Sequence, residues 1–203
     1  GGWTEATFSR DTIMVVPMDD WSDRPFHVSF ARPWRRDAED TGNDIKALAS
    51  NAVSTGVVYT QMTTNAVNGA VVRLKSSNSC GGLMRVGATV CDIAPALTSG
   101  VAEGEAKFGV KLGTATAASG ASNAIGTIRP FLSSAYNTST YALNYAANNA
   151  TGVTSAYGDE LLDTQDAPVN NQNMPLTFGA SINDNTPAGT YSTNLSLIAT
   201  GKF

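Results

Sequence analysis

Short runs of alternating apolar and polar residues, separated by turn-forming residues, constrain the fold of this chain more than any other feature. In residues 107–112 (KFGVKL), Phe108, Val110 and Leu112 share one side of an extended chain, and Lys107 and Lys111 share the other. Side chains of a β-strand repeat every two residues, so such a run predicts a half-buried strand. The same alternation predicts strands at residues 57–62, 70–75, 141–145, 176–182 and 191–199.

Turn chemistry separates these runs. Asn68-Gly69 tolerates positive φ and predicts a β-hairpin joining residues 57–62 to 70–75. Residues 183–190 (NDNTPAGT) predict a second tight turn. Helical patterning is restricted to a short helix at residues 43–50, with Asn43 as its N-cap, and one helical turn at residues 158–162. The chain is therefore expected to be all-β: an Ig-like antiparallel β-sandwich with an extended N-terminal segment.

Composition supports this class and excludes others. Ser, Thr and Asn total 57 of the 203 residues, and charged residues are only 15%. This mixture favours strands and turns over a helical bundle or coiled coil. The net charge of -4 provides no electrostatic reason to bind nucleic acid or an anionic membrane. No apolar run approaches the roughly 20 residues that span a bilayer, so no membrane span is expected.

Charge is unevenly distributed along the chain. Residues 1–46 hold 15 charged residues, half of the total, and all three tryptophans, Trp3, Trp21 and Trp34. Beyond that point the sequence is rich in Ala, Thr, Ser, Asn and Gly and poor in charge. This shift predicts an N-terminal extension at residues 1–46 and a β-sandwich domain at residues 47–203.

Two cysteines, Cys80 and Cys91, are separated by a segment that contains three glycines. The glycines let the chain turn back, and an even count in a chain rich in Ser, Thr and Asn favours an oxidising compartment. These observations predict a Cys80–Cys91 disulfide, the alternative being two buried free thiols in a reduced cytosol. A zinc site is disfavoured because His27 is the chain's single histidine.

Residues 176–203 (LTFGASINDNTPAGTYSTNLSLIATGKF) carry the most specific pattern. They resemble the last hairpin of secreted, Ig-like β-sandwich proteins of bacterial surfaces, including pilin subunits assembled by donor-strand exchange. Residues 60–76 (TQMTTNAVNGAVVRLKS) are similar to another hairpin of such proteins. The resemblance implies a non-catalytic, extracellular role at the cell surface without a cofactor: a structural subunit of a filament, pilus or sheath.

In fibre-forming members of that family, an extended N-terminal segment pairs with an open sheet edge of the next subunit. The stretch at residues 12–16 (TIMVV) is the apolar, β-prone candidate for such a donor. The alternative is that it forms the first strand of its own sandwich. Arg10 lies in line with apolar positions, which leaves the donor register open. The predicted donor residues are Phe8, Ile13, Met14, Val15 and Val16.

A basic, aromatic stretch at residues 32–36 (RPWRR) forms a second candidate contact with another copy of the chain. Trp34, Arg35 and Arg36 would there meet an acidic loop, because Arg stacks on indole and pairs with carboxylates. The alternative is a local ion-pair cluster with the acids at residues 37–40. An adhesin or carbohydrate-binding module for a host or neighbouring cell surface is the competing function, with the tryptophans stacking on sugar rings.

Acidic clusters at residues 19–23, 37–44 and 159–166 leave two further hypotheses open. A glycosidase would need two carboxylates that face each other across a cleft, and a calcium site would use loop oxygens. No cluster has the regular DxDxDG spacing, and the motifs GxSxG and HExxH do not occur. His27 has no marked catalytic partner. The sequence therefore predicts a protein that is not an enzyme and whose partners are other copies of itself.

Overall fold

The computed structural model describes residues 6–7, 27–31, 48–76, 80–117, 128–130, 135–143 and 158–203. Every regular element in these ranges is a β-strand, which confirms the predicted all-β class. The strands, in chain order, are β1 (Ala6–Thr7), β2 (His27–Ala31), β3 (Ser54–Thr64), β4 (Ala70–Ser76), β5 (Met84–Arg85), β6 (Ala94–Pro95), β7 (Lys107–Leu112), β8 (Thr116–Ala117), β9 (Arg129–Pro130), β10 (Asp159–Asp163), β11 (Val169–Ser181), β12 (Tyr191–Ser192) and β13 (Leu195–Gly201).

The strands form two main sheets. Sheet A has the order β1-β13-β4-β10-β9, and sheet B has the order β2-β3-β11-β7-β6, with β8 also paired to β11. A small third sheet joins β12 to β5. The pairing is antiparallel throughout these strands except between β6 and β7, which run parallel.

The hydrophobic core lies between the two sheets, as expected for a β-sandwich. Phe108 of β7 and Phe178 of β11 stack with ring centroids 5.9 Å apart. Ala70, Val72 and Leu74, which alternate along β4 in sheet A, lie in the same core. Other buried members include Val58, Met62, Val110, Leu112, Leu143, Leu161, Leu162, Met174, Leu176, Leu195, Leu197 and Ala199.

Alternation located the central strands well. The run at residues 107–112 coincides with β7, and the run at residues 70–75 is β4 without its last residue. The strands β3 and β11 are longer than predicted, since polar residues such as Thr64 and Gln172 are buried within them. Residues 141–143 form only isolated bridges, from Ala142 to Val110 and from Leu143 to Leu97.

Of the two helical predictions, one is wrong and the other lies mostly outside the described residues. The predicted helical turn at residues 158–162 is wrong, because residues 159–162 belong to β10. A β-bulge between Glu160 and Leu162 places the adjacent Leu161 and Leu162 both in the core, which disturbs the period of two. Of the predicted helix at residues 43–50, only residues 48–50 are described. There Ala49 bridges to Ala52, so the predicted helix does not extend to its expected end.

Residues 65–69, which we call the crossover loop, carry the chain from sheet B to sheet A. The strand β3 pairs with β2 and β11, whereas β4 pairs with β13 and β10. The predicted β-hairpin is therefore wrong, although Gly69 has the expected positive φ of 75°. The predicted last hairpin is wrong for the same reason, because β11 lies in sheet B and β13 in sheet A.

The crossover loop is tied to two other segments. The amide of Lys202 donates to Gly69 O at 2.7 Å, and the amide of Asn68 donates to Lys202 O at 3.1 Å. The amide of Ala70 donates to Thr164 Oγ1 at 2.8 Å, and the amide of Thr164 donates back to Ala70 O at 3.0 Å. These bonds hold together the crossover loop, the residue after β10 and the residue after β13.

At the other end of β4, Cys80 and Cys91 form the predicted disulfide, with their Cα atoms 5.8 Å apart. The amide of Leu83 donates to Ile93 O at 2.8 Å, so the two arms of the loop also bond through their backbones. A side chain at Gly82 would collide with that same carbonyl oxygen. The glycine therefore allows the close approach of the two arms.

We expect replacement of both cysteines by serine to lower the free energy of unfolding by about 3 kcal/mol, because the bridge restricts the unfolded chain. Urea denaturation of the native protein and of the Cys80→Ser/Cys91→Ser variant measures the difference. Intact mass after alkylation without a reductant should be unchanged for the native chain. Addition of two alkyl groups would contradict the bridge.

Gly69→Ala should destabilise the protein by about 3 kcal/mol, since it combines backbone strain with a collision. The φ of Gly69 is 75°, and a methyl group there would run into Thr164 Oγ1. Gly87→Ala is the matched control: its φ is 81°, but no atom lies within 4 Å of the new methyl group. Gly87→Ala should lower the free energy of unfolding by only about 1 kcal/mol. If urea denaturation shows that both variants lose the same free energy of unfolding, the collision with Thr164 does not add to the destabilisation.

Candidate functional site

The outer edges of the two sheets are the candidate site. An open edge presents unpaired N–H and C=O groups that can accept a further strand. One edge of each sheet ends in a two-residue strand that contains proline, Pro130 in β9 and Pro95 in β6. Proline lacks a backbone N–H and is found at edges for that reason. These two edges are therefore poorly suited to accept another strand.

The two opposite edges are formed by strands from the segment predicted as an N-terminal extension. In sheet A, Ala6 and Thr7 of β1 pair with Leu197 and Ser196 of β13. In sheet B, β2 pairs antiparallel with β3, from His27 opposite Thr63 to Ala31 opposite Tyr59. Residues from 1–46 thus add an edge strand to each sheet.

Both added strands are shorter than the strands that they accompany. The strand β1 has 2 residues against 7 in β13, and β2 has 5 residues against 11 in β3. Within the described part of the chain, residues 198–201 of β13 and 55–58 of β3 have a strand partner on one side only. In these two stretches, the edges of β13 and β3 extend beyond the parts that β1 and β2 cover.

The described contacts of the N-terminal segment fall on residues that the sequence did not single out as donors. Ala6 and Thr7 carry no alternating apolar pattern. His27 lies in a stretch that alternates with Val28 and Phe30, but this stretch was not predicted as a donor. Their role as edge strands follows from pairing with the distant strands β13 and β3, and the local sequence does not identify those partners. The predicted donor residues Phe8, Ile13, Met14, Val15 and Val16 lie outside the described residues. So do Trp34, Arg35 and Arg36 of the predicted interface, together with Trp3 and Trp21.

The acidic cluster at residues 159–166 is engaged by basic side chains. Glu160 forms an ion pair with Arg73 across the β10–β4 pairing, and each side chain is about one-fifth exposed. Lys202 Nζ donates to Asp163 Oδ1 at 3.0 Å and to Asp166 Oδ1 at 2.7 Å. Among the residues that the structure describes, no three His, Cys, Asp or Glu side chains converge into a group able to hold a metal ion. The other two acidic clusters lie outside the described residues.

The turn after β10 shapes the Lys202 site. Gln165 and Asp166 adopt left-handed φ values of 53° and 60°, and the amide of Gln165 donates to Asp163 Oδ1 at 2.9 Å. Burial lowers the pKa of Lys202, but hydrogen bonds and charge from Asp166 and Asp163 outweigh it and raise that pKa above 10.5. The protonated ammonium thus fastens the residue after β13 to the turn after β10.

Comparison of the chain with protein-family models, with curated proteins and with solved structures finds no match. Within the described ranges there is no helix with the length and hydropathy needed to cross a membrane.

Lys202→Met should destabilise the protein, and the loss should depend on pH with a defined sign. Because the folded state raises the pKa of Lys202 above 10.5, the lysine's contribution is fully present below 10.5. It disappears as the pH rises through the folded-state pKa. The urea midpoints of native and variant protein should thus differ at about pH 8 and converge at strongly alkaline pH.

Lys75→Met is the control for this experiment, because Lys75 lies opposite Ser196, at the other end of β13 from Lys202. It measures the effect of removing a lysine side chain from the same sheet at a position away from Asp163 and Asp166. A Lys202→Met difference that stays constant through the alkaline range would contradict the role assigned to the ammonium.

Proposed function

We propose that this protein is a non-catalytic structural subunit of an extracellular bacterial filament, pilus or sheath that assembles through its N-terminal segment. One observation carries the proposal: strands from residues 1–46 pair with the outer edges of β13 and β3. An assembly contact would use the same edges, with the strand supplied by a neighbouring copy.

Backbone hydrogen bonding allows a strand from a neighbouring copy to replace a strand of the same chain at a sheet edge. The hydrogen bonds that an edge strand forms do not depend on whether the strand comes from the same chain or from another copy. A two-residue contact such as β1 on β13 stabilises its own chain only slightly, so little is lost when it is replaced. The remaining length of β13 allows a longer donor segment to form more bonds than β1 forms.

Secretion is part of the proposal. The Cys80–Cys91 disulfide is typical of an oxidising, extracellular environment. The low proportion of charged residues, 15%, and the many Ser, Thr and Asn residues are compatible with a cell-surface protein. The resemblance of residues 60–76 and 176–203 to surface β-sandwich proteins points the same way. The expected partners are other copies of this chain.

Cysteine cross-linking across the β1–β13 register tests strand donation. Thr7 lies opposite Ser196, so one preparation carries Thr7→Cys and a second carries Ser196→Cys. The two are mixed, co-refolded and oxidised mildly. If the segment is donated, non-reducing electrophoresis should show a dimer band. Mass spectrometry should then identify the peptide that joins position 7 of one chain to position 196 of another.

Thr200→Cys is the matched control, because Thr200 lies on β13 about 13 Å beyond Ser196. Mixed with Thr7→Cys, it should form little cross-linked dimer. A chain that carries both Thr7→Cys and Ser196→Cys reports pairing within one molecule. If that chain forms only the intramolecular bond and the mixture forms none, strand donation is wrong and the segment only completes its own sheets.

A further inference from the structure

One sulfur atom of the disulfide accepts a hydrogen bond from the backbone of the opposite arm of its loop. The amide of Gly82 donates to Cys91 Sγ at 3.1 Å. Gly81, which precedes this amide, has a φ of 75°, a conformation that glycine adopts without strain. The two glycines that follow Cys80 therefore bring a backbone N–H to the sulfur atom of Cys91.

This hydrogen bond favours negative charge on Cys91 Sγ. Thiol–disulfide exchange begins when a thiolate attacks one sulfur of a disulfide and the other sulfur leaves as a thiolate. The step is faster when the leaving thiolate is stabilised, and an N–H that already faces the sulfur stabilises it without rearrangement. Cys91 is therefore a favoured leaving group, and Cys80 Sγ is then the sulfur that is attacked.

The position of the bridge limits the size of the attacking thiol. Cys80 and Cys91 are both half-buried, whereas residues 86, 87, 89 and 90 of the loop between them are exposed. A half-buried sulfur is reached more readily by a small molecule than by the thiol of another folded protein, because exchange depends on access to the attacked sulfur. The structure therefore favours a low-molecular-weight thiol as the reaction partner.

Backbone contacts hold the arms of the loop together independently of the bridge. The amide of Leu83 donates to Ile93 O at 2.8 Å, and the amide of Ile93 donates to Leu83 O at 3.4 Å. Both of these side chains belong to the hydrophobic core, and β5 within the loop pairs with β12. These contacts keep the amide of Gly82 beside Cys91 after the S–S bond opens, so the bridge can form again.

The charge of Asp92, which directly follows Cys91, is compensated. A carboxylate disfavours a thiolate on the neighbouring residue, because like charges repel. Arg85 Nε lies 3.6 Å from Asp92 Oδ2, and the two side chains form an ion pair. The guanidinium thus offsets the carboxylate, which does not cancel the effect of the Gly82 amide on Cys91.

We propose that the Cys80–Cys91 bridge is a site of reversible modification by low-molecular-weight thiols. The thiolate of the small molecule attacks Cys80 Sγ, the bond between the two cysteines breaks, and a new S–S bond joins the small molecule to Cys80. The electron pair of the broken bond stays on Cys91 Sγ as a thiolate, which the amide of Gly82 holds. One disulfide replaces another, so no oxidant or reductant is consumed. The modification does not depend on the strand pairing proposed for β13 and β3.

Exposure of the native, full-length chain to reduced glutathione tests the proposal. Samples are quenched with acid at early times, which protonates thiolates and stops exchange, and peptic peptides are mapped by mass spectrometry. Glutathione should be found on Cys80 about fivefold more often than on Cys91, because hydrogen bonds to charged groups are strong. In concentrated urea, where the fold is lost, the preference should disappear. Equal labelling of the folded chain, a preference for Cys91, a preference that persists in urea, or no mixed disulfide at any thiol concentration overturns the proposal.

Gly82→Ala tests the hydrogen-bond donor itself. A methyl group there would lie 2.2 Å from Ile93 O, so the arm that carries the amide must shift, and the preference for Cys80 should fall. Gly87→Ala is the matched control in the same loop, because no atom lies within 4 Å of its methyl group, and it should keep the preference. Thermal melts show which variants are folded. A folded Gly82→Ala chain that keeps the full preference would contradict the role of this amide, and if that variant does not fold, the comparison of native and urea-unfolded chains decides.

Discussion

The need to satisfy backbone hydrogen bonds at the edges of two open sheets governs this structure. A sandwich of separate sheets has four edges, and each presents N–H and C=O groups that can bind another strand. Here two edges end in short strands with Pro95 and Pro130, and the other two are joined by β1 and β2. The N-terminal segment therefore contributes to the sheets, which connects the fold to the proposed assembly.

The ends of the sandwich are held by different chemistry. At one end the crossover loop, Thr164 and Lys202 share backbone and hydroxyl hydrogen bonds, and two carboxylates hold the lysine ammonium. At the other end a disulfide closes the loop that follows β4. Both sets of bonds restrain loop residues at the two ends of β4.

Local sequence was most informative where a strand is buried on one face. The strands β4 and β7 were located from alternation because their polar residues lie outside the core. It failed at β10, where a bulge buries both Leu161 and Leu162. The candidate site was the least predictable part, since the pairing of Ala6–Thr7 with β13 joins residues about 190 positions apart along the chain.

The sequence by itself determined the all-β class, the positions of the central strands and the pairing of the two cysteines. These properties depend on side-chain period, turn residues and a short loop, all of which are local. Only the tertiary structure decided that the chain crosses between sheets after β3 and after β11, and that β1 and β2 are edge strands of different sheets. Turn residues reverse the chain direction, but the partner of each strand is chosen by the burial of its apolar face against the other sheet.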